Sequence, residues 1–486
     1  MNSINLNDKK TKIIATIGPR SDNRKHLKEM FYAGGDIIRI NASHRSEPEI
    51  IKQNVELIRD VSKEIDQWVS IFMDLQGPKI RVGKFKDSEV ILKDKSVFSL
   101  TTEKILGDET QASVSYKGFT DDIQIGDPIY IDDGKIQLVV REKKGTHAIC
   151  EVIQGGILSN QKGLNLPDTK MSISPITEKD YEDALLAIET EMDYIALSFV
   201  SHEDDIKKLR KFMDENNGHD IKIIAKIERP IAVDRIDAII KESDAVMVAR
   251  GDLGVEIGVE NVPRVQKMII SKANQLIKPV IVATQMLESM IHASTATRAE
   301  VSDVANAIYD SCDAVMLSGE TAIGIDPTNS VSSMAVICKA TDTHVAEIKK
   351  NQTIRNDQFD YQTIPISICK AANQVAEETN AAFIMAFTSS GNTPLIASKL
   401  NSTIPIISPI DDPKIGRRVA LYRGVQPMMM PIKFDDIARW TDMINLAVKE
   451  AKKKDLVKKG DVIVVTAGIP IGQSDGINSI RLIKVS

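Results

Sequence analysis

The sequence predicts an α/β protein in three parts: a (β/α)8 barrel, a small β-barrel domain inserted into it as a lid, and a C-terminal doubly wound α/β domain. Eight short apolar runs rich in β-branched residues, separated by amphipathic stretches of helical length, carry the barrel. A gap of about 120 residues between the third and fourth runs carries the insert, and a renewed strand–helix alternation after the eighth carries the last domain. The length of 486 residues agrees, since roughly 150 residues per domain gives about three domains.

The eight runs are Lys12–Ile17, Asp36–Ile40, Val69–Met73, Tyr194–Phe199, Lys222–Ile227, Asp244–Ala249, Pro279–Ala283 and Asp313–Leu317. Their continuous apolar character suits parallel strands buried on both faces. Inside the gap, SEVILKDKSVFSL and IGDPIYIDDGKIQLVVREKKGTHAICEVIQGG alternate strand-like residues with D-D-G and K-K-G turns, as a small antiparallel domain does. The barrel is therefore expected in residues 1–80 and 171–348, and the insert in 81–170. A polar linker, Lys349–Gln362, opens the last domain, 349–486. Strands are expected there near Ala382–Phe387, Ile404–Ile407, Val462–Thr466 and Ile480–Val485, with helices at Ile366–Thr379 and Asp435–Lys454. Cys312 and the run Met428–Met430 read as packing residues.

Composition narrows the function. Hydrophobic residues make up 42% and charged residues 27%, as in an ordinary globular chain. With 62 basic and 68 acidic residues the net charge is −6, so no global basic field exists to hold nucleic acid or an anionic membrane. No stretch of about 18 residues is uninterruptedly apolar, and the amino terminus lacks a signal-peptide core, so a soluble, cytoplasmic protein is expected. The four cysteines form no C-x-x-C or Cys/His spacing, against a disulfide framework or structural zinc. Neither a P-loop nor a strand-linked dinucleotide fingerprint is present.

Barrel enzymes place their chemistry at the carboxyl ends of the strands, and polar residues collect there. The second run leads into Arg39-Ile40-Asn41-Ala42-Ser43-His44, and the third into Asp74-Leu75-Gln76-Gly77-Pro78-Lys79-Ile80-Arg81. The fifth ends in Lys226-Ile227-Glu228 and the sixth in Ala249-Arg250-Gly251-Asp252-Leu253-Gly254. Thr284-Gln285 follows the seventh, and Ser318-Gly319-Glu320-Thr321 the eighth. Glu228 and Asp252 end adjacent strands, where they either cap helices or hold one hard divalent cation between them. Lys226 lies two residues before Glu228 and so on the same strand face. An ammonium beside a metal-binding carboxylate suits phosphoryl transfer, in which charge accumulates on the transferred group. Arg39 and Arg81 offer guanidinium forks to phosphate oxygens.

In these residues the chain resembles the pyruvate kinase family along essentially its whole length. The resemblance rests on TKIIATIGPRS, RINASH, DLQGPKIRVG, KGLNLP, ITEKD, AKIE, MVARGDLGVE, ATQMLESMIHASTATRAEVSDVANA, MLSGETAIG and TAGIPIG, in that order. It implies transfer of the phosphoryl group of phosphoenolpyruvate to ADP, giving pyruvate and ATP, the last step of glycolysis. It further implies Mg2+ (or Mn2+) held by Glu228 and Asp252, Lys226 stabilising the transferring group, and Arg39 touching phosphate. Gly251, Asp252 and Thr284 would cradle the substrate carboxylate, and Arg81, Lys162, Asn41 and His44 would meet the nucleotide. Ser318 and Glu320 resemble members of the network that protonates the enolate. The resemblance also implies a homotetramer. An effector loop at Thr388-Ser389-Ser390-Gly391-Asn392-Thr393 would take a sugar phosphate, or is an ordinary turn opening a helix.

Potassium-dependent members read D-T-K-G-P-E-I-R-T-G, whereas this chain has Leu75, Gln76, Lys79 and Val82 at the differing positions. Lys79 puts a fixed ammonium where the family recruits potassium through Asn41, Ser43, Asp74 and the main-chain carbonyl next to it, at Leu75; activity without potassium is therefore expected. A barrel lyase acting on pyruvate or oxaloacetate, and a relative turned regulatory protein, are the alternative readings.

Overall fold

The structure, a computed structural model, describes residues 9–486 except 44–46, 168, 170, 173, 351–358, 360–362, 438 and 470–475. His44 and most of the expected linker therefore lie outside the described residues. Eight parallel strands close into a barrel: β1 (Lys12–Thr16), β2 (Ile37–Asn41), β3 (Ser70–Asp74), β4 (Tyr194–Leu197), β5 (Lys222–Ile227), β6 (Ala245–Ala249), β7 (Val280–Ala283) and β8 (Ala314–Leu317). Each falls within its predicted run or within one residue of it.

Alternation along the strands divides the core in two. Ile13, Ala15, Ile38, Met73, Ile223 and Ile227 face the surrounding helices, while Ile14, Ile37, Phe72, Ala196, Ile224, Met247 and Met316 fill the lumen. The lumen parity continues upward to Thr16, Arg39, Asp74, Ser198, Lys226 and Ser318. Polar residues thus form the top layer above the apolar middle of the barrel interior.

The inserted domain is a six-stranded sheet with a two-stranded ribbon beside it, Glu89–Leu92 against Gly156–Ser159. Its long hairpin, Ile136–Lys144 with His147–Gln154, turns at the K-K-G sequence and carries a bulge. One pairing, Val97–Thr101 with Gln111–Ser113, is parallel in an otherwise antiparallel sheet. Phe98, Phe119, Ile129, Leu138 and Val152 give this domain its own core.

The last domain holds β9 (Phe383–Ala386), β10 (Ile406–Ile410), β11 (Val425–Met429), β12 (Val462–Ala467) and β13 (Ser479–Lys484), in the order β11-β10-β9-β12-β13. The order reverses direction at β9, as in a doubly wound sheet, and β13 is antiparallel to β12. β11 was not among the expected strands; Met428 and Met430 are buried as expected, but Met429 is 37% exposed. This domain docks under the amino-terminal foot of the barrel. Lys12 Nζ donates to the Val425 carbonyl at 2.9 Å, Lys399 pairs with Asp313 and Asn274, and Arg417 bonds Asp193 at 2.9 Å. Apolar contact is continuous from the lumen into the C-terminal sheet. Among the described residues no helix is long and apolar enough to cross a membrane.

Candidate active site

Lys226 is the centre of the mouth. Its ammonium stands 2.8 Å from Glu228 Oε1 and 3.1 Å from Asp74 Oδ1, and donates to Ser198 Oγ at 2.6 Å. Burial opposes the charge, but Asp74, Glu228 and Asp252 more than offset it, so its pKa is raised and the group stays cationic. Asp74 is just as enclosed. Burial raises its pKa, yet Lys226 and Arg39 pull it below the ordinary range. Arg39 bonds Asp74 Oδ2 through Nε and Nη2, each at 2.7 Å, and reaches Thr16 Oγ1 at 3.3 Å.

Glu228 is 1% exposed, and burial pushes its carboxyl up despite Lys226. Oε2 accepts the Phe199 amide at 2.6 Å, while Oε1 is buried with no hydrogen bond of its own beyond the ionic contact to Lys226. A buried carboxylate oxygen left short of donors, with Asp252 near enough to act on the same charges, fits a divalent cation. Among the described residues no three His, Cys, Asp or Glu side chains form a complete cage. Such an ion would be held by two carboxylates with the rest of its shell from water and ligand oxygens, as Mg2+ prefers.

The loop after β7 is strained. Thr284 has φ +68° and Gln285 φ +54°, and a β-branched residue there costs on the order of 1–3 kcal/mol. Arg250, which opens the helix Arg250–Ile257, holds it down. Its Nη2 bonds the Thr284 carbonyl at 2.7 Å and its Nη1 bonds Asp303 at 2.6 Å. Thr284 Oγ1 accepts the Gly251 amide at 2.8 Å and donates to the Ala283 carbonyl at 2.7 Å, joining the ends of β6 and β7. At β8, Glu320 is fully buried and takes the amides of Ser318 at 2.7 Å and Leu287 at 3.0 Å. Ser318 Oγ is buried without a hydrogen bond.

The remaining predicted residues are more dispersed. Asn41 Oδ1 accepts the Ser43 amide at 3.1 Å, and the Leu75 carbonyl accepts Ser198 Oγ at 2.7 Å. Lys79 is exposed, with its stem beside Gly163. Arg81 bonds the Gln161 carbonyl at 3.0 Å and Lys162 pairs with Asp132 at 2.9 Å, both in the inserted domain. In the last domain Thr388 Oγ1 accepts the amides of Ser390 and Gly391 at 3.3 and 2.7 Å, Ser389 and Ser390 are exposed, and Gly391 at φ +96° caps the helix Asn392–Lys399 that contains Thr393. Sequence reasoning missed Ser198, Arg250 as a clamp, and Glu256, which accepts from Asn165 of the inserted domain at 3.1 Å. For Ser198 the available signal was its parity with Tyr194 and Ala196 in the lumen.

Residues 8–331 match the family model described as pyruvate kinase, barrel domain, and residues 366–483 match pyruvate kinase, alpha/beta domain. The pyruvate kinase of Clostridium perfringens is 40% identical over 98% of this chain and 100% of its own length. That of Thermotoga maritima is 38% identical over 98% of this chain and 99% of its own. The crystal structure of a pyruvate kinase from Cryptosporidium parvum superimposes with a TM-score of 0.90 at 34% identity, covering 99% of this chain and 97% of that one. With its barrel, insert and C-terminal sheet all matched, the chain belongs to the pyruvate kinase family.

Proposed function

We propose that the barrel mouth transfers the phosphoryl group of phosphoenolpyruvate to ADP, giving pyruvate and ATP, with Mg2+ or Mn2+ and without a requirement for potassium. The observation that carries this reading is the buried Lys226 ammonium held between Asp74 at 3.1 Å and Glu228 at 2.8 Å. In phosphoryl transfer the bond from phosphorus to the enol oxygen breaks as a bond to a terminal ADP oxygen forms, and charge spreads over the equatorial oxygens. Lys226 neutralises that charge in a site where water competes little, and Arg39, oriented by Asp74, adds a second cation. Glu228 and Asp252 would hold the divalent cation, which supplies further charge neutralisation and orientation when bound. Gly251, Asp252 and Thr284 bind the substrate carboxylate; Arg81, Lys162, Asn41 and His44 bind the nucleotide phosphates. Ser318 and Glu320 belong to the polar network that serves protonation of the enolate at its methylene carbon, with Glu320 holding the Ser318 amide.

Potassium independence is supported by Asp74, both of whose oxygens already face cations, and by Leu75, whose carbonyl is bonded to Ser198. Lys79 then supplies the fixed charge near the insert. In the same reading the exposed hydroxyls of Ser389 and Ser390 receive an anionic effector, and the chain assembles as a homotetramer. The test is pyruvate formation from phosphoenolpyruvate and ADP with Mg2+, with and without potassium, beside Lys226→Met. Turnover in both salts that falls by about 10³-fold or more in the variant is expected. Strict dependence on potassium would remove the Lys79 assignment, and no turnover in either salt would favour a lyase or a binding protein.

A further inference from the structure

The two segments that join the insert to the barrel meet at one buried carboxylate, and we propose that this residue, Asp180, is a positioning residue for the reaction at the mouth. The outgoing segment leaves β3 through Leu75-Gln76-Gly77-Pro78, and the returning one enters the helix Glu178–Glu189 through Thr177. Asp180 is fully buried. Its Oδ1 accepts the Gly77 amide at 3.0 Å, and its Oδ2 accepts the Thr177 amide at 2.8 Å and the Thr177 hydroxyl at 2.6 Å. A capping box needs only the Thr177 amide on Oδ2 and its reciprocal, the Asp180 amide donating to Thr177 Oγ1 at 3.2 Å. The bond to Gly77 is additional, and it ties outgoing chain to returning chain.

Gly77 sits where small displacements reach the chemistry. It has φ +64°, and a Cβ there would stand 2.7 Å from the Phe199 ring and 3.2 Å from Ser198 Cβ. Ser198 Oγ donates to the Leu75 carbonyl and accepts from Lys226, while the Phe199 amide donates to Glu228. Gly77 therefore lies closely against the two residues that orient Lys226 and Glu228, with no room for a side chain between, and it precedes the stretch that carries Arg81 into the insert. The inference rests on the mouth being the reaction site, but it gives Asp180 a task which that reading does not.

Two substitutions separate capping from positioning. Asp180→Glu keeps the cap, because Glu is a regular partner at that place, while its extra methylene moves the other oxygen off Gly77. Thr177→Val removes the capping hydroxyl and leaves the bond to Gly77. Asp180→Glu is expected to lower kcat about tenfold and raise the KM for ADP several-fold at temperatures where the variant is fully folded, since small misplacements at a reacting centre are costly. Its Tm is expected to fall as well, since the extra methylene and the freed Gly77 amide are buried. Thr177→Val is expected to lower Tm with both kinetic constants within about twofold of the parent. Asp180→Asn, which keeps the size but loses one acceptor, should also lower kcat. Parent-like kinetics in both Asp180 variants, or an equal loss of activity in Thr177→Val, would overturn the proposal and leave Asp180 a helix cap. A parent chain without phosphoryl transfer would instead overturn the reading of the mouth, before any variant is compared.

Discussion

Arg250 shows how one side chain fixes a strained backbone. It reaches the carbonyls of Ala283, Thr284 and Gln285 and the carboxylate of Asp303 from a single planar fork. A lysine has one point of attachment and cannot hold all four. Arg250→Lys is expected to let Thr284 relax, lowering kcat by about 100-fold with a smaller change in the KM for phosphoenolpyruvate, measured by steady-state kinetics. At this scale much of the site was legible. Lys226 and Glu228 share a face because strand side chains alternate, and they meet at 2.8 Å. The partners of Asp74 were not legible: Arg39 reaches it from the adjacent strand β2 and Lys226 from β5, two strands away round the barrel, and strand register across a barrel leaves no trace in sequence spacing. Ser198 was missed because its parity with Tyr194 and Ala196 puts all three on one strand face, while the sequence does not say which face is the lumen.

Among the elements, the helix Arg298–Tyr309 begins with a capping box that does a second job. Thr297 and Glu300 bond each other's amides, and Glu300 also takes the amide and hydroxyl of Ser289 at 2.7 and 2.6 Å. The cap thereby anchors the turn Glu288–Ile291 that follows β7. Thr297→Ala is expected to cost about 1 kcal/mol, read as a Tm lower by about 1–2 °C, with kcat near the parent value. The barrel strands were legible because each is a buried apolar run between helical stretches. β11 was not, because Pro427 breaks the apolar run; the strand lies at the sheet edge, where a residue without an amide hydrogen is tolerated. Pro409 likewise hid the end of β10, which runs to Ile410.

Across the whole molecule, the barrel works at one end and is held at the other. Asp342 is a heavily bonded group of that lower joint: it accepts the amides of Lys10 and Thr11, each at 2.8 Å, and pairs with Arg423 of the C-terminal domain at 2.6 Å. Burial raises its pKa, but Arg423 and the amides lower it further, to below the ordinary 3.8. The stabilisation is therefore complete above that ordinary value and is lost as pH falls through the folded one. Asp342→Asn is expected to cost about 3 kcal/mol at pH 7, seen as a lower Tm, and the difference from the parent should shrink below about pH 4. β4 and β8 run from this joint to the mouth: Asp193 and Asp313 precede them at the foot, and Ser198 and Ser318 follow them five residues later. At about 3.3 Å per residue each strand is a hydrogen-bonded rod of roughly 16 Å with a domain docked at one end and a serine of the candidate site at the other. A ligand of the mouth that shifted β4 or β8 would act on the docking of the C-terminal domain through these strands, and reciprocity would then make a ligand that acts on that docking change the affinity of the mouth for the first ligand by the same factor.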